Sequence, residues 1–221
     1  MTTFAVVGAG RGLGVAAARR FGQEGFDVAL LARRQEHVDE LAAQLTAEGI
    51  TARGYAADVR DAASLTAALD GAAATLGPIE VLQYSPVPQR EFLRPVLETT
   101  PDELAGALEF SVHGPVAAVN KVLPSMRALG RGTVLFVNGG SAIRPNPQVA
   151  GTSIAFAGES AYAQMLHEAL VLEGIYVGQL IIPGAITPGH PRSDPAVLAD
   201  TLWAMHTERD AFRHFADDPD A

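Results

Sequence analysis

The stretch Val7-Gly8-Ala9-Gly10-Arg11-Gly12-Leu13-Gly14 is the part of the sequence best suited to chemistry. It follows a short apolar run from Phe4 to Val7 and opens a helix-like segment from Leu13 to Gln23. Glycines at this spacing allow a tight turn and let the backbone approach a pyrophosphate. The helix N-terminus adds free N–H groups and positive dipole. The strand-loop-helix context that such a fingerprint needs is present. Groups able to move a proton are few. Lys121 is the one lysine, the tyrosines are Tyr55, Tyr84, Tyr162 and Tyr176, and cysteine is absent. There is thus no thiolate chemistry and no disulfide framework. His190 lies in a loop and could donate a proton at neutral pH, or simply face solvent. His37, His167, His206 and His214 read as surface residues, and no two histidines sit at metal-ligand spacing, so no metal is expected. Glu159 is either a base or, more commonly for such a residue, an exposed helix charge.

The elements that must position these groups alternate along the chain. After the first strand and helix come a strand over Asp27–Ala32 and an amphipathic helix over Glu36–Glu48, with Val38, Leu41 and Leu45 at helical spacing. Strands follow at Thr51–Tyr55, Ile79–Tyr84, Thr133–Asn138 and Ile175–Ile182, and helices at Ala62–Leu76, Thr152–Leu172 and from Asp194-Pro195 to about Arg209. Thr100, Pro101 and Glu103 form a capping box opening a long helix to Leu129, which Pro115 and Pro124 are expected to kink or break. The strands are continuously apolar, as a parallel sheet covered on both faces requires. The expected fold is therefore a Rossmann-type doubly wound α/β sheet of six or seven strands. Residues 1–210 form one domain in this reading, and 211–221 an acidic, frayed tail.

The spacing of Gly8, Gly12 and Gly14 resembles the short-chain dehydrogenase/reductase version of the fingerprint, and the resemblance runs from Phe4 to about Arg209. It implies contacts to a dinucleotide from Gly8, Arg11, Gly12, Leu13 and Gly14, from Asp58-Val59 around the adenine, and from Ser85 after the fourth strand. Pro183, Gly184, Ile186 and Thr187 would run along the nicotinamide. Members that prefer NAD carry an acid at the end of the second strand. Here that position is Ala32, followed by Arg33, and an arginine pairs with a 2′-phosphate through charge-assisted hydrogen bonds. The resemblance thus implies NADP(H), with Arg34 left as a solvated helix residue.

The catalytic half departs from the family. Active members use a tyrosine whose pKa is lowered by a lysine four residues later, and no Tyr-x-x-x-Lys occurs anywhere in this chain. An ungapped register puts Thr152 and Phe156 at those positions and Asn138-Gly139 at the family's serine pair. A register shifted by three puts Ala155 and Glu159 there, with Ser141 near the serine. The family's asparagine on the long helix becomes Ser111, and its Asn-Asn-Ala-Gly segment becomes Tyr84-Ser85-Pro86-Val87. The chain resembles atypical members of the family in this segment, in Asn138-Gly139-Gly140 and in its C-terminal helix. Candidates for substitute chemistry are Tyr84, Ser111, Asn138, Ser141, Thr152 and His190.

Three functions remain open. One is an NADP(H)-dependent oxidoreductase acting on a small organic carbonyl or alcohol with a non-standard proton donor. Another is a non-redox cyclase, isomerase or lyase on this scaffold, and the third is a catalytically silent NADP(H)-binding protein. The net charge of −9 disfavours nucleic acid. No apolar run approaches the ~20 residues of a membrane span. Met1 leads directly into a strand, and a cytoplasmic location is expected. The partner is a small-molecule substrate, and the family implies a homodimer or homotetramer through Thr100–Leu129 and Thr152–Leu172.

Overall fold

The computed structural model describes residues 2–217. Seven strands form one sheet in the order β3-β2-β1-β4-β5-β6-β7. They are β1 (Thr3–Val7), β2 (Asp27–Ala32), β3 (Ala52–Ala56), β4 (Ile79–Tyr84), β5 (Gly132–Gly139), β6 (Ile175–Ile182) and β7 (Arg213–Phe215). All neighbours pair in parallel. The order reverses between β1 and β4, and the ligand crevice of a doubly wound sheet lies there, beyond the carboxyl ends of the strands.

Helices cover both faces. The helices α1 (Leu13–Gln23), α2 (Gln35–Ala47) and α7 (Pro195–Glu208) close one core, and α3 (Ala62–Leu76), α5 (Gly114–Leu129) and α6 (Ala150–Leu170) close the other. Successive strand residues serve opposite cores. Phe4 and Val6 pack with Phe21 and Leu30, whereas Ala5 and Val7 pack with Leu65 and Leu69. This explains the apolar runs of the five inner strands, whose two faces are both covered, whereas the edge strands β3 and β7 are partly exposed. Phe4 and Phe21 stack at 4.0 Å between centroids.

Four expectations need correction. The long helix is not broken at Pro124, which lies inside α5. The irregularity comes earlier, where α4 (Pro101–Leu108) passes through a π-helical turn at Glu109–His113 into Gly114 and Pro115. The capping box of Thr100 and Glu103 is formed. The tail is ordered further than expected. The Gln179 amide donates to the Phe212 carbonyl at 2.7 Å and the Ala216 amide to Ile181 at 2.9 Å, so 213–215 join the sheet as β7. The tail residues 218–221 lie outside the described residues. His206 is buried, 8% exposed, with Nδ1 2.9 Å from Thr133 Oγ1 and its ring against Phe21, Phe26 and Trp203. Glu159 is also buried, at 1% exposure.

Candidate functional site

The glycine loop is tied to the end of β2, because the amides of Gly8 and Ala9 both donate to the Leu31 carbonyl at 2.9 Å. Its glycines do different jobs. Gly8 has φ +89°, and a Cβ there would lie 2.4 Å from Pro86 Cα. A Cβ on Gly14 would press on Ala9 Cα at 3.0 Å. Gly10 and Gly12, by contrast, would meet nothing within 4 Å, so their missing side chains leave open space. Helix α1 begins at Leu13 with no side-chain cap and no acid in its first turn. A helix end of this kind offers N–H groups to an anion.

That open space belongs to a cavity of about 650 Å³. Its walls include Gly8, Arg11, Gly12, Leu13, Gly14 and Ser85 at one end. Asn138, Ser141, Thr152, Phe156, Gly184 and Ile186 stand at the other. A flat hollow of about 200 Å³ adjoins it, bounded by the glycine loop, Ala32, Arg33, Ala57 and Val59. Beyond lies a third hollow of about 380 Å³ formed by Ala32, Arg33, Arg34 and His37. Neither Arg33 nor Arg34 makes an ion pair or side-chain hydrogen bond among the described residues. Arg11 does, meeting Glu40 at 2.7 Å with both side chains exposed. Such an exposed pair is worth about 0–1 kcal/mol, so a phosphate could compete for the guanidinium. A cradle without side chains, an uncapped helix end and unpaired arginines in line fit a dinucleotide carrying an extra phosphate.

Other residues expected to touch a dinucleotide stand back from the cavity. Asp58 shapes the turn after β3, its Oδ1 accepting the Arg60 amide at 3.0 Å, while Val59 faces the hollow. Pro183 faces a separate groove beside Ser141 and Arg144. Thr187 closes a loop by donating its amide to the Ser193 carbonyl at 3.0 Å.

The candidates for proton chemistry divide. Asn138, Ser141 and Thr152 reach the cavity. Thr152 Oγ1 leans on the Phe92 carbonyl at 3.4 Å. Tyr84 does not reach it. Its side chain is 1% exposed, and its hydroxyl donates to the Phe110 carbonyl at 2.5 Å within the π turn. Burial, with the Glu159 and Asp58 charges adding to it, pushes that phenol well above its usual range. It cannot act as an acid near neutrality. His190 does not line the cavity, and its Nδ1 accepts the amides of Ser193 at 3.1 Å and Arg192 at 3.3 Å within its own loop. Ser111 is buried beside Glu159 and does not line the cavity.

A polar chain runs beneath the cavity floor. Arg213 Nε donates to Gln179 Oε1 at 2.9 Å, and Arg213 Nη2 to Ser160 Oγ at 2.9 Å. Ser160 Oγ donates to the same Gln179 oxygen at 3.0 Å. Gln179 Nε2 then donates to Asn138 Oδ1 at 2.8 Å. Beyond Asn138 stands the Glu159 carboxyl. Burial raises its pKa well above the usual carboxylate range, although Asn138 and Ser111 both favour its charged form. The Asn138 Nδ2 that faces this carboxyl is fully buried and meets it with poor hydrogen-bond geometry. Sequence reasoning missed Gln179, Ser160 and Arg213. The signal was a lone glutamine in the otherwise apolar Ile175–Ile182.

The family profile described as "short chain dehydrogenase" matches residues 2–194. The chain belongs to the short-chain dehydrogenase family. Among curated relatives of this short-chain dehydrogenase, 3-dehydrosphinganine reductase TSC10B of Arabidopsis thaliana is 30% identical over 83% of the chain and 55% of its own length. The chain spans about half the length of the curated relatives it matches first. A solved short-chain dehydrogenase from Rhodopseudomonas palustris is 27% identical with a TM-score of 0.87, covering 98% of each chain. A short-chain oxidoreductase from Pseudomonas aeruginosa PAO1, solved with NADPH and described as containing an atypical catalytic center, superposes with a TM-score of 0.86 over 97% of this chain and 94% of its own. At 20% identity that likeness is one of fold.

Among the described residues no group of three or more His, Cys, Asp or Glu is placed to hold a metal, and no helix is long and apolar enough to cross a membrane.

Proposed function

We propose that this short-chain dehydrogenase binds NADP(H) and moves hydride between it and a small carbonyl or alcohol, with a proton donor other than a Tyr/Lys pair. The observation that carries the cofactor half is the hollow at the end of β2, where Arg33, Arg34 and His37 line a space opposite no acid. A 2′-phosphate there would meet two guanidinium groups, whereas a bare 2′-hydroxyl would leave both unused. The nicotinamide, when bound, supplies or accepts the hydride. The chain's own part is to anchor phosphates at Gly12–Gly14 and Arg33, to pack apolar walls around the reacting centre, and to present Asn138, Ser141 and Thr152. The hydroxyls of Ser141 and Thr152 are too weakly acidic to work alone, so solvent or the substrate completes the proton transfer.

We also propose a single domain that extends through β7, a cytoplasmic location, and pairing of copies through α5 and α6. Exposed Ile154, Met165 and Leu172 on and just beyond α6 support the last. The test of function is loss of the reduced-nicotinamide absorbance band when the protein and NADPH meet a panel of neutral carbonyl compounds. Turnover that falls at least tenfold in Arg33→Ala supports the proposal. Tight NADPH binding with no oxidation by any carbonyl supports a second reading, a non-redox or silent NADP(H) protein. That reading is favoured by Tyr84, whose hydroxyl is spent on Phe110.

A further inference from the structure

The strap of residues 85–100 leaves apolar side chains in solvent although its backbone is held in place. The Arg94 carbonyl accepts the Ala150 amide at 2.9 Å, and the Val96 amide donates to the Pro147 carbonyl at 2.8 Å. Arg94 meets Glu103 at 2.6 Å, and Arg60 meets Glu91 at 3.1 Å. Phe92 turns inward, its ring 5.6 Å from that of Phe110. The other large apolar side chains of the strap do not. Val87, Leu93, Val96 and Leu97 are 83%, 44%, 52% and 96% exposed. A loose loop exposes such residues by default. A pinned one that exposes four of them holds apolar surface ready for something else to cover.

These side chains gather at one place. Val87 and Leu93 line the 650 Å³ cavity and are exposed, so they stand at its mouth. Ile186, 39% exposed, and Pro188 line it from the loop after β6. Val96 and Leu97 carry the apolar surface outward along the strap, beside Pro147 and two residues from the cavity-lining Val149. Five of the eleven large apolar side chains exposed among the described residues thus lie at or next to this mouth. Within, Phe156 and Val149 continue the apolar wall, and the sole charged residue in the lining is Arg11, at the glycine-loop end. A charged group held beside Phe156 would be buried without a counter-charge, which is costly. A compact molecule would sink into the cavity and leave Val87, Val96 and Leu97 wet. A second copy of the chain seated on the mouth would shut the cavity against its own ligand. A molecule with its reacting end inside and a hydrocarbon chain leaving along the strap would cover the whole surface.

Resting on the reading of this cavity as the site of an NADP(H)-dependent oxidoreductase, we infer that the substrate is a neutral molecule with a long hydrocarbon chain. The chain runs out of the cavity past Val87 and Leu93 and along Val96 and Leu97. These are the residues that read chain length. Each methylene taken out of water against them tightens binding, by about fourfold when it is fully covered.

The probes are 2-butanone, 2-hexanone, 2-octanone and 2-decanone. Each is titrated calorimetrically into the protein alone and into the protein saturated with NADP⁺, which cannot reduce them. Binding should tighten roughly twofold or more per added methylene from 2-hexanone to 2-decanone, as partial covering allows. Val87→Ser and Leu93→Ser should weaken 2-decanone by roughly threefold or more and flatten the series. Leu97→Ser, further out, should weaken 2-decanone and spare 2-hexanone. Leu172→Ser removes an equally exposed leucine beyond the end of α6 and should leave the series as it is. Melting curves check that each variant is folded. Equal affinity for 2-hexanone and 2-decanone, no binding of any of the four, or losses in Val87→Ser and Leu97→Ser that do not grow with chain length would overturn the inference. So would sedimentation that shows an assembly dissociated by Leu97→Ser, since the surface would then belong to a second copy. Failure of the cofactor reading shows separately, as absence of heat when NADP⁺ is titrated into the protein.

Discussion

At the scale of single residues, the glycine loop supplies a discriminating pair of changes. Gly8→Ala forces a Cβ to within 2.4 Å of Pro86 Cα at a φ of +89°, and should cost about 2–4 kcal/mol of stability in urea unfolding. Gly12→Ala meets nothing within 4 Å and should fold normally, yet lose at least tenfold in NADPH affinity because the methyl group stands where the pyrophosphate would lie. Equal stability losses in both variants would mean the loop is merely a turn. Tyr84→Phe removes a buried hydrogen bond to Phe110 and should lower stability by about 1 kcal/mol while leaving NADPH affinity alone. A loss of cofactor affinity would return Tyr84 to the site. The glycines were legible because their chemistry is local, fixed by spacing and by the strand before them. The fate of Tyr84 was not, because its partner is a carbonyl far along the chain whose direction depends on a π turn. Glu159 was misread for a related reason. One helix face shows which residues are apolar, but not how deeply a polar residue among them is sunk.

The elements carry the same lesson in larger units. The strands and helices were readable from apolar runs and caps, since the two-sided core leaves few alternatives. The capping box at Thr100 and the Asp194 cap of α7 stand where the sequence puts them. What escaped was β7, a strand of three residues whose pairing depends on β6 being ready to receive it. It follows that β7 is more than a fringe. Ending the chain after Asp210 deletes the Phe212 and Arg213 contacts to Gln179 and leaves a buried glutamine poorly paired. We expect the melting temperature to fall by roughly 5 °C or more. An unchanged melting curve would show that β7 adds nothing to the sheet.

For the whole molecule, two buried titratable groups at opposite ends of β5 set the pH range of stability. Burial holds His206 down to about 4, so it stays neutral in the fold. The unfolded chain takes up that proton once the pH falls below about 6.5. Stability is therefore lost as the pH drops from about 6.5 toward 4. Glu159 works in the other direction. Its raised pKa keeps the proton in the fold, whereas the unfolded chain releases it above the usual carboxylate range. Its contribution to stability is full below that range and lost as the pH rises through the elevated folded value. Urea midpoints followed across pH should thus flatten on the acid side in His206→Gln and on the alkaline side in Glu159→Gln. Profiles parallel to wild type would show that neither group sets the limits.

The central claim, that the molecule is built around NADP(H), is tested most directly by calorimetric titration with NADPH and NADH, for the wild-type protein and for Arg33→Ala. The account predicts micromolar or tighter NADPH binding, NADH weaker by roughly tenfold or more, and loss of most of that difference in the variant, as expected when a charge-assisted pair worth about 1.5–3 kcal/mol is removed. Equal affinities for the two nucleotides, or no binding of either, would contradict it.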